Sequence, residues 1–198
     1  HGVPVIPLPN LPVGVRKMDG AALGVGDRPV IVVAKRKSSR AWMSFIVAHE
    51  LAHVVLGHVA AGESIVDVSL QDMSTYAAES ALDRQEQEAD ALALRILGAG
   101  VADALIAPWP PSWGPVQLAA AARVAGRDHG LEAGHLALRH GFRHRRWPEA
   151  VSALGFLSED VNAEEELLRQ LRDNIDLDLI ADDLQGLVMQ ITGWEQSA

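Results

Sequence analysis

The sequence predicts an α+β fold, in which a small sheet near the beginning of the chain is followed by helices. Three observations lead to this prediction. The first 35 residues combine prolines, turn signals and short apolar runs, which are typical of strands. From Ser38 onward, apolar residues recur at helical spacing in segments that end at glycine or proline. The 198 residues, 48% of them hydrophobic and 22% charged, have the composition of an ordinary globular protein.

The strands are expected first. Four prolines among the first 12 residues exclude a helix there. Val13–Met18 alternates in polarity like a strand, and Pro29–Ala34 (PVIVVA) is an apolar run typical of a buried strand. Turn signals at Asp19-Gly20 and Gly26-Asp27 separate these segments. We therefore predict a small, twisted, mainly antiparallel sheet that packs on the helix following it.

Two helices are predicted next. Ser38 or Ser39 is suited to cap the first helix, which runs to about Gly57. Its apolar residues cover most of its circumference, so this helix belongs in the core. The second helix, Arg84–Leu97, follows a strand-like segment at Ser64–Leu70 (SIVDVSL).

The strongest break in the chain is Pro108–Pro115 (PWPPSWGP). We place a boundary here, between a core of residues 1–107 and a helical C-terminal subdomain of residues 108–198. Five helices are predicted beyond the break, at Val116–Ala125, Leu131–His140, Pro148–Phe156, Ala163–Ile175 and Leu179–Ile191.

The composition narrows the classes of function. A formal net charge of −9 argues against broad binding to a phosphate backbone, so direct nucleic-acid binding is not expected. The feature favouring DNA binding is a basic helix–Gly turn–helix segment at Val116–Phe142, and such helix pairs are common packing units.

No membrane span or leader is visible. Because the chain has no cysteine, any metal must be held by histidines and carboxylates, and we expect a cytoplasmic protein.

The chemistry of the chain is concentrated in the first helix, where His49–His58 reads HELAHVVLGH. His49 and His53 are four residues apart, so both lie on one face of a helix and both can reach one tetrahedral Zn²⁺. Glu50 lies about 100° round the helix, where its carboxylate can take a proton from a water on the metal without being a ligand. The H-E-x-x-H pattern therefore predicts two metal ligands and a general base. On so apolar a helix these groups need a compensating partner, and a metal is the simplest one.

Two residues compete for the third ligand position. His58 has the wrong spacing for a three-histidine pattern, and on a continuous helix it would face away from His49. We expect it at the helix C-terminus instead, where a cationic imidazole is favourable. Glu86 on the second helix would complete a His₂Glu site with one open position, the arrangement of a catalytic zinc. Asp90, one turn further, is placed to accept the N–H of a ligand histidine, whereas Glu88 is predicted to be a solvated surface charge.

The pairing of HELAHVVLGH with E-x-x-A-D at Glu86–Asp90 resembles the ImmA/IrrE family of zinc metallopeptidases. The similarity covers most of the chain and is most specific over residues 29–97, although Ala52 stands where the family usually has glycine. The resemblance implies a zincin-like fold of the gluzincin type and zinc endopeptidase activity. It also implies that His49, His53 and Glu86 are ligands, that Glu50 is the catalytic base, and that Asp90 supports a ligand. Mn²⁺ is an expected substitute for Zn²⁺ in vitro.

The resemblance further implies the partner. Members of this family typically cleave or inactivate a helix-turn-helix repressor in stress responses, and others act beside toxin–antitoxin systems. We therefore expect a DNA-binding repressor or an antitoxin as the protein substrate. An extended segment of that regulator would pair with an exposed strand edge, supplied by PVIVVA or by SIVDVSL. The alternative is a docking module that uses a peptidase-like fold without proteolysis.

The sequence gives a less specific signal for the group that would stabilise the tetrahedral anion of amide hydrolysis. A tyrosine, histidine or arginine usually assists the metal in this role. Tyr76 lies between the two motif helices and is our candidate, with a partly exposed loop tyrosine as the alternative. His129, His135 and His140 are further candidates that the sequence does not rank.

Overall fold

The computed structural model describes residues 2–12, 18–35, 39–67, 81–98, 100–157 and 162–194. Within these ranges the chain has an α+β architecture with a four-stranded sheet and eight α-helices. The strands are β1 (Val5–Pro7), β2 (Gly20–Val25), β3 (Arg28–Val33) and β4 (Ser64–Asp67). The helices are α1 (Arg40–Val55), α2 (Ala81–Leu97), α3 (Ala102–Ile106), α4 (Pro115–His129), α5 (Ala133–His144), α6 (Trp147–Leu154), α7 (Ala163–Asn174) and α8 (Asp182–Thr192). The α+β prediction is confirmed.

The sheet is mixed, with the strand order β1-β3-β2-β4. β1 pairs parallel to β3, whereas β2 pairs antiparallel to both β3 and β4. The sheet is therefore mainly antiparallel, as predicted, but β4 comes from the chain after α1 rather than from the first 35 residues. The segment PVIVVA forms most of β3, and because β1 and β2 flank it, it supplies no free edge. The prediction that PVIVVA offers an edge to a substrate is wrong. The other predicted segment, SIVDVSL, contains β4, which is at an edge of the sheet among the described strands.

Two turn predictions had different outcomes. Gly26 and Asp27 form the turn between β2 and β3, as predicted. Asp19-Gly20 is not a turn between strands, because Gly20 is the first residue of β2 and pairs with both Val33 and Asp67. The predicted strand at Val13–Met18 lies almost wholly outside the described residues.

Helix α1 crosses the core beneath the sheet. Its N-cap is Ser39, whose Oγ accepts a hydrogen bond from the backbone N–H of Trp42 at 3.3 Å. The helix buries its apolar residues on several sides, including Trp42, Phe45 and Ile46 at 1% exposure or less. Because α1 is covered by the sheet, by α2 and by α5, the side chains of His49, Glu50 and His53 are removed from water.

The core is continuous through the described chain. One cluster of buried residues joins Ile31 on β3 and Phe45 on α1 to Leu94 on α2, Leu136 on α5 and Trp147 on α6. The predicted boundary between residues 1–107 and 108–198 stays a prediction. The predicted C-terminal helices correspond to α4–α8, except that Leu177–Leu179 forms a short 3₁₀ helix before α8. Among the described helices, none has the length and apolar character needed to cross a membrane.

Candidate metal centre

Two histidines and a carboxylate meet where α1 packs on α2. Nε2 of His49 lies 3.0 Å from Nε2 of His53 and 3.2 Å from Oε2 of Glu86. Nε2 of His53 lies 3.6 Å from Oε1 of Glu86. Each residue offers one ligand atom, and these three atoms lie within 4.8 Å of one another. Both histidines are 0% exposed and Glu86 is 8% exposed, so the group is closed off from bulk water.

These separations fit a tetrahedral metal ion. Ligand atoms at about 2.0–2.1 Å from a tetrahedral ion are about 3.3 Å from each other. The two Nε2 atoms are 3.0 Å apart, and each lies 3.2 or 3.6 Å from one of the two oxygens of Glu86, so the separations are close to that value. His₂Glu is also a donor set that leaves one of four positions open, as in catalytic rather than structural zinc sites. The three residues can therefore hold a metal ion, and the fit comes from their own arrangement.

The hydrogen bonds of His49 set the proton on its ring. Nδ1 of His49 lies 2.8 Å from Oδ1 of Asp90, which is fully buried. Because a carboxylate only accepts hydrogen bonds, Nδ1 donates to Asp90, and when Nε2 binds a metal the ring is neutral with its lone pair at Nε2. The structure places Asp90 at hydrogen-bond distance from His49, as the sequence predicted, whereas the role of His49 as a metal ligand stays a prediction. A lone pair at Nε2 of His49 faces the other ligand atoms, which favours a bound cation between them.

The carboxyl group of Glu86 has a lowered pKa. Burial alone would raise this pKa, but when protons rather than a metal occupy the rings of His49 and His53, their hydrogen bonds and positive charge outweigh it and hold the pKa of Glu86 well below its usual range. The carboxylate is therefore ionised whenever the site is assembled. An ionised oxygen beside two imidazole nitrogens is the state in which the three groups bind a divalent metal.

Glu50 is fully buried beside the first residue of β2. A Cβ built on Gly20 would lie 2.2 Å from Oε1 of Glu50, so the Glu50 carboxylate occupies the space that any other residue at position 20 would fill. The absence of a side chain at Gly20 on β2 therefore leaves room for the Glu50 carboxylate. Sequence reasoning missed this role of Gly20 because it treated the glycine as part of a turn.

The end of α1 brings His58 back onto the helix. Gly57 takes a left-handed φ of 73°, and its N–H donates to the carbonyl of Val54 at 3.2 Å. The N–H of His58 donates to the carbonyl of His53 at 2.9 Å. These two bonds form a Schellman motif, in which the second residue after the cap packs against the residue five positions earlier. Nδ1 of His58 accordingly lies 3.0 Å from Nδ1 of His53.

The sequence-based placement of His58 is therefore incomplete. The helix does not continue through His58, so spacing along a straight helix does not describe its direction. His58 is at the helix C-terminus, as expected, but its side chain contacts His53 on α1. Glu88 is 62% exposed, as predicted for a surface charge, yet its Oε2 lies 3.3 Å from Nε2 of His58. The glycine directly before His58 was the signal for this geometry.

Comparison with known proteins adds nothing to this picture. No family model, no curated protein and no solved structure matches the chain. The resemblance of His49–His58 and Glu86–Asp90 to the ImmA/IrrE family therefore stays a prediction, and the chemistry of the site has to be inferred from its own residues.

The remaining site candidates have different positions. Tyr76 lies outside the described residues. His129 is exposed at the end of α4. His135 is largely buried on α5, and burial holds its pKa below the usual value despite the nearby Glu132. His140 donates from Nε2 to the carbonyl of Pro110 at 3.2 Å, and burial lowers its pKa as well. None of these contacts involves the three-residue ligand group, so they give no support to an anion-stabilising role.

Proposed function

We propose that this protein is a zinc-dependent metallo-endopeptidase of the kind that the resemblance to the ImmA/IrrE family implies. The observation that carries the proposal is the convergence of His49, His53 and Glu86, whose ligand atoms lie within 4.8 Å of one another. Glu50, which follows His49 in the sequence, is fully buried. A metal site with one open coordination position and a nearby carboxylate is typical of hydrolases that activate a water molecule.

Each residue has a definite task in this proposal. His49, His53 and Glu86 would hold the ion, and Asp90 keeps the lone pair of His49 directed toward it through the 2.8 Å hydrogen bond. Zn²⁺, when bound, supplies Lewis acidity that lowers the pKa of water and polarises a carbonyl. Glu50 takes the proton from the attacking water and returns it to the amine that leaves when the peptide bond breaks. Burial of Glu50 keeps bulk water from competing for that proton.

The substrate is proposed to be a flexible segment of a DNA-binding repressor or an antitoxin. The site is buried, so a polypeptide has to reach it in an extended form rather than as a compact domain. Among the described strands, β4 is at an edge of the sheet and pairs with β2, and Val66 on β4 is 46% exposed. An exposed strand edge can bind an extended segment through backbone hydrogen bonds. We expect unstructured general substrates such as casein to be cut poorly, because they lack the regulator's docking surface.

The test is to incubate the protein with Zn²⁺ or Mn²⁺ and with the DNA-binding regulator encoded nearest to it. Glu50→Gln is the matched control, because it preserves the size of the side chain and all three ligands while removing the base. Cleavage by the wild type and not by Glu50→Gln supports the proposal. Cleavage by both proteins contradicts the role of Glu50. Stable binding of the regulator by both proteins, without cleavage under any metal condition, would instead support the docking module.

A further inference from the structure

The second ligand histidine contacts a residue outside the H-E-x-x-H pattern. Nδ1 of His53 lies 3.0 Å from Nδ1 of His58, whose side chain is 8% exposed. The other nitrogen of the His53 ring, Nε2, faces His49 and Glu86. The two ring nitrogens of an imidazole point in divergent directions, so His58 lies on the side of His53 away from the ligand group. His58 is placed to hold His53, not to bind the same ion.

The contacts of His58 favour one arrangement of its protons. Nε2 of His58 lies 3.3 Å from Oε2 of Glu88, an ion-pair contact in which the carboxylate only accepts, so the neutral form of the ring is favoured with its proton on Nε2. Nδ1 of His58 then has a lone pair and accepts from Nδ1–H of His53. This leaves Nε2 of His53 with its lone pair directed at the ligand group. The chain of contacts from Glu88 through His58 to His53 thus selects the tautomer that a metal needs.

We propose that His58 and Glu88 form a positioning pair that fixes the tautomer and the ring orientation of His53 for metal binding. This inference rests on the metal site of the proposed function but not on proteolysis. A ligand histidine usually donates its second N–H to a carboxylate, a carbonyl or water. Here the partner is another imidazole, which is itself held by a carboxylate. Three residues of α2 therefore take part in the proposed site. Glu86 is a ligand, and Asp90 accepts a hydrogen bond from His49. Glu88 contacts His58, which in turn contacts His53.

The end of α1 makes this pair possible. The Schellman motif at Gly57 turns the chain so that residue 58 packs against residue 53, a contact that is apolar in most proteins. Histidine at this position replaces an apolar contact with a hydrogen bond. A leucine would suit the cap equally well, which gives a substitution that keeps the fold and removes only the acceptor.

The first experiment measures Zn²⁺ affinity of the full chain by competition with a chromophoric chelator. His58→Leu should bind Zn²⁺ about 10–100-fold more weakly than the wild type while still reaching the wild-type stoichiometry, because an orienting partner is lost and no ligand is lost. His58→Asn should stay close to wild type, because its Oδ1 can accept from His53. His129→Leu is the matched control, since His129 also lies near a helix C-terminus but is exposed.

The second experiment changes the outer member of the pair. Because Glu88 is 62% exposed, water can replace part of its effect, and Glu88→Ala should weaken Zn²⁺ binding by less than about tenfold. Glu88→Gln should bind more tightly than Glu88→Ala, because its amide oxygen still accepts from Nε2–H of His58. Gln87→Ala, at an exposed neighbour on the same helix, should be indistinguishable from the wild type.

A readout independent of activity comes from long-range ¹H–¹⁵N correlation spectra of the Zn²⁺-loaded protein. In the wild type, His49 and His53 should both show a protonated Nδ1 that exchanges slowly with water. In His58→Leu the Nδ1 proton of His53 should exchange rapidly or disappear, whereas that of His49 should be retained through Asp90. The His49 signal therefore separates loss of the pair from general loosening of the site.

The outcomes are distinguishable. Unchanged Zn²⁺ affinity and an unchanged His53 spectrum in a folded His58→Leu protein would overturn the positioning pair and leave the peptidase proposal intact. Complete loss of Zn²⁺ in the folded His58→Leu protein, even at saturating metal, would also overturn it, since His58 would then be a ligand. A wild-type protein that binds no divalent metal would overturn both this inference and the proposed function.

Discussion

The backbone of Gly20 lies so close to the carboxylate of Glu50 that a Cβ at residue 20 would be 2.2 Å from Oε1 and 2.9 Å from Cδ. This contact joins the first residue of β2 to the centre of α1. Glu50 is fully buried and has little room to move, so the size of residue 20 limits where the carboxylate can be. The first residue of β2 therefore has to be small for the side chain of Glu50 on α1 to keep its position, and Glu50 is the residue that we propose as the general base.

We expect Gly20→Ala to reduce proteolysis strongly while leaving metal binding close to wild type. The three atoms nearest to the added methyl group all belong to Glu50, so the substitution displaces this carboxylate and leaves all three proposed ligands in the chain. Overpacking a buried position costs about 1–3 kcal/mol in the free energy of unfolding, so stability should also fall moderately. Chemical denaturation, Zn²⁺ titration and a cleavage assay measure the three effects.

Gly186→Ala is the control for this substitution, because a Cβ at Gly186 on α8 would have no atom within 4 Å. It should leave proteolysis unchanged and increase helix stability slightly. If Gly20→Ala cleaves its substrate at the wild-type rate, the Glu50 carboxylate does not need the position it has beside β2.

We expect Asp90→Asn to weaken Zn²⁺ binding about 10–100-fold, because the charged acceptor that sets the tautomer of His49 is lost. The ligands themselves remain, so saturating Zn²⁺ should restore full occupancy. This separates Asp90 from Glu86 and His53, whose replacement by alanine should empty the site. Zn²⁺ competition titrations of the three variants check the ranking, and equal affinity of Asp90→Asn and wild type would contradict it.

Much of the site could be predicted because its groups follow helical spacing. His49 with His53, and Glu86 with Asp90, are each four residues apart, so each pair faces one direction as soon as the two segments are helices. Helix facing also identified Glu86 over Glu88 as the residue directed at the histidines. These inferences depend on local backbone geometry, which a sequence pattern specifies well.

The residues that sequence reasoning missed depend on contacts between elements. His58 returns to His53 because the chain reverses at Gly57, and straight-helix spacing cannot describe that turn. Gly20 matters because β2 pairs with both β3 and β4 and its first residue meets Glu50, and strand register is not visible in single-strand polarity. The central position of β3 likewise follows from its parallel pairing with β1, which no local signal near Pro29 indicates.

We expect the ion pair between Asp103 and Arg139 to contribute a small, acid-sensitive part of stability. The hydrogen bonds of Arg139 hold the pKa of Asp103 below its ordinary value of 3.8, against a smaller opposing effect of burial. The ionised carboxylate therefore favours the folded state above about pH 4, and this contribution is lost as the pH falls toward the lower pKa of the folded protein. Because the Asp103 side chain is 55% exposed, the contribution should be less than about 1 kcal/mol.

Urea unfolding of the wild type and Asp103→Asn at neutral pH and in acid measures this contribution. The difference in free energy of unfolding should shrink in acid. A difference that grows as the pH falls would have the wrong sign for a lowered pKa.

Metal removal tests whether the ligand group is a metal site independently of any substrate. A ligand that binds the folded chain and not the unfolded chain raises stability by about 2.7 kcal/mol at 100 times its dissociation constant. We therefore expect EDTA dialysis to lower the Tm of the wild type and Zn²⁺ to restore it, with a smaller effect at acid pH because protons compete for His49 and His53.

Glu86→Ala should have a Tm that neither treatment changes, since the carboxylate that completes the site is missing. Glu50→Gln should respond to EDTA and Zn²⁺ as the wild type does, because its three ligands are intact. A wild-type Tm that is insensitive to both treatments would mean that the 3.0–3.6 Å cluster is held by hydrogen bonds alone and binds no ion.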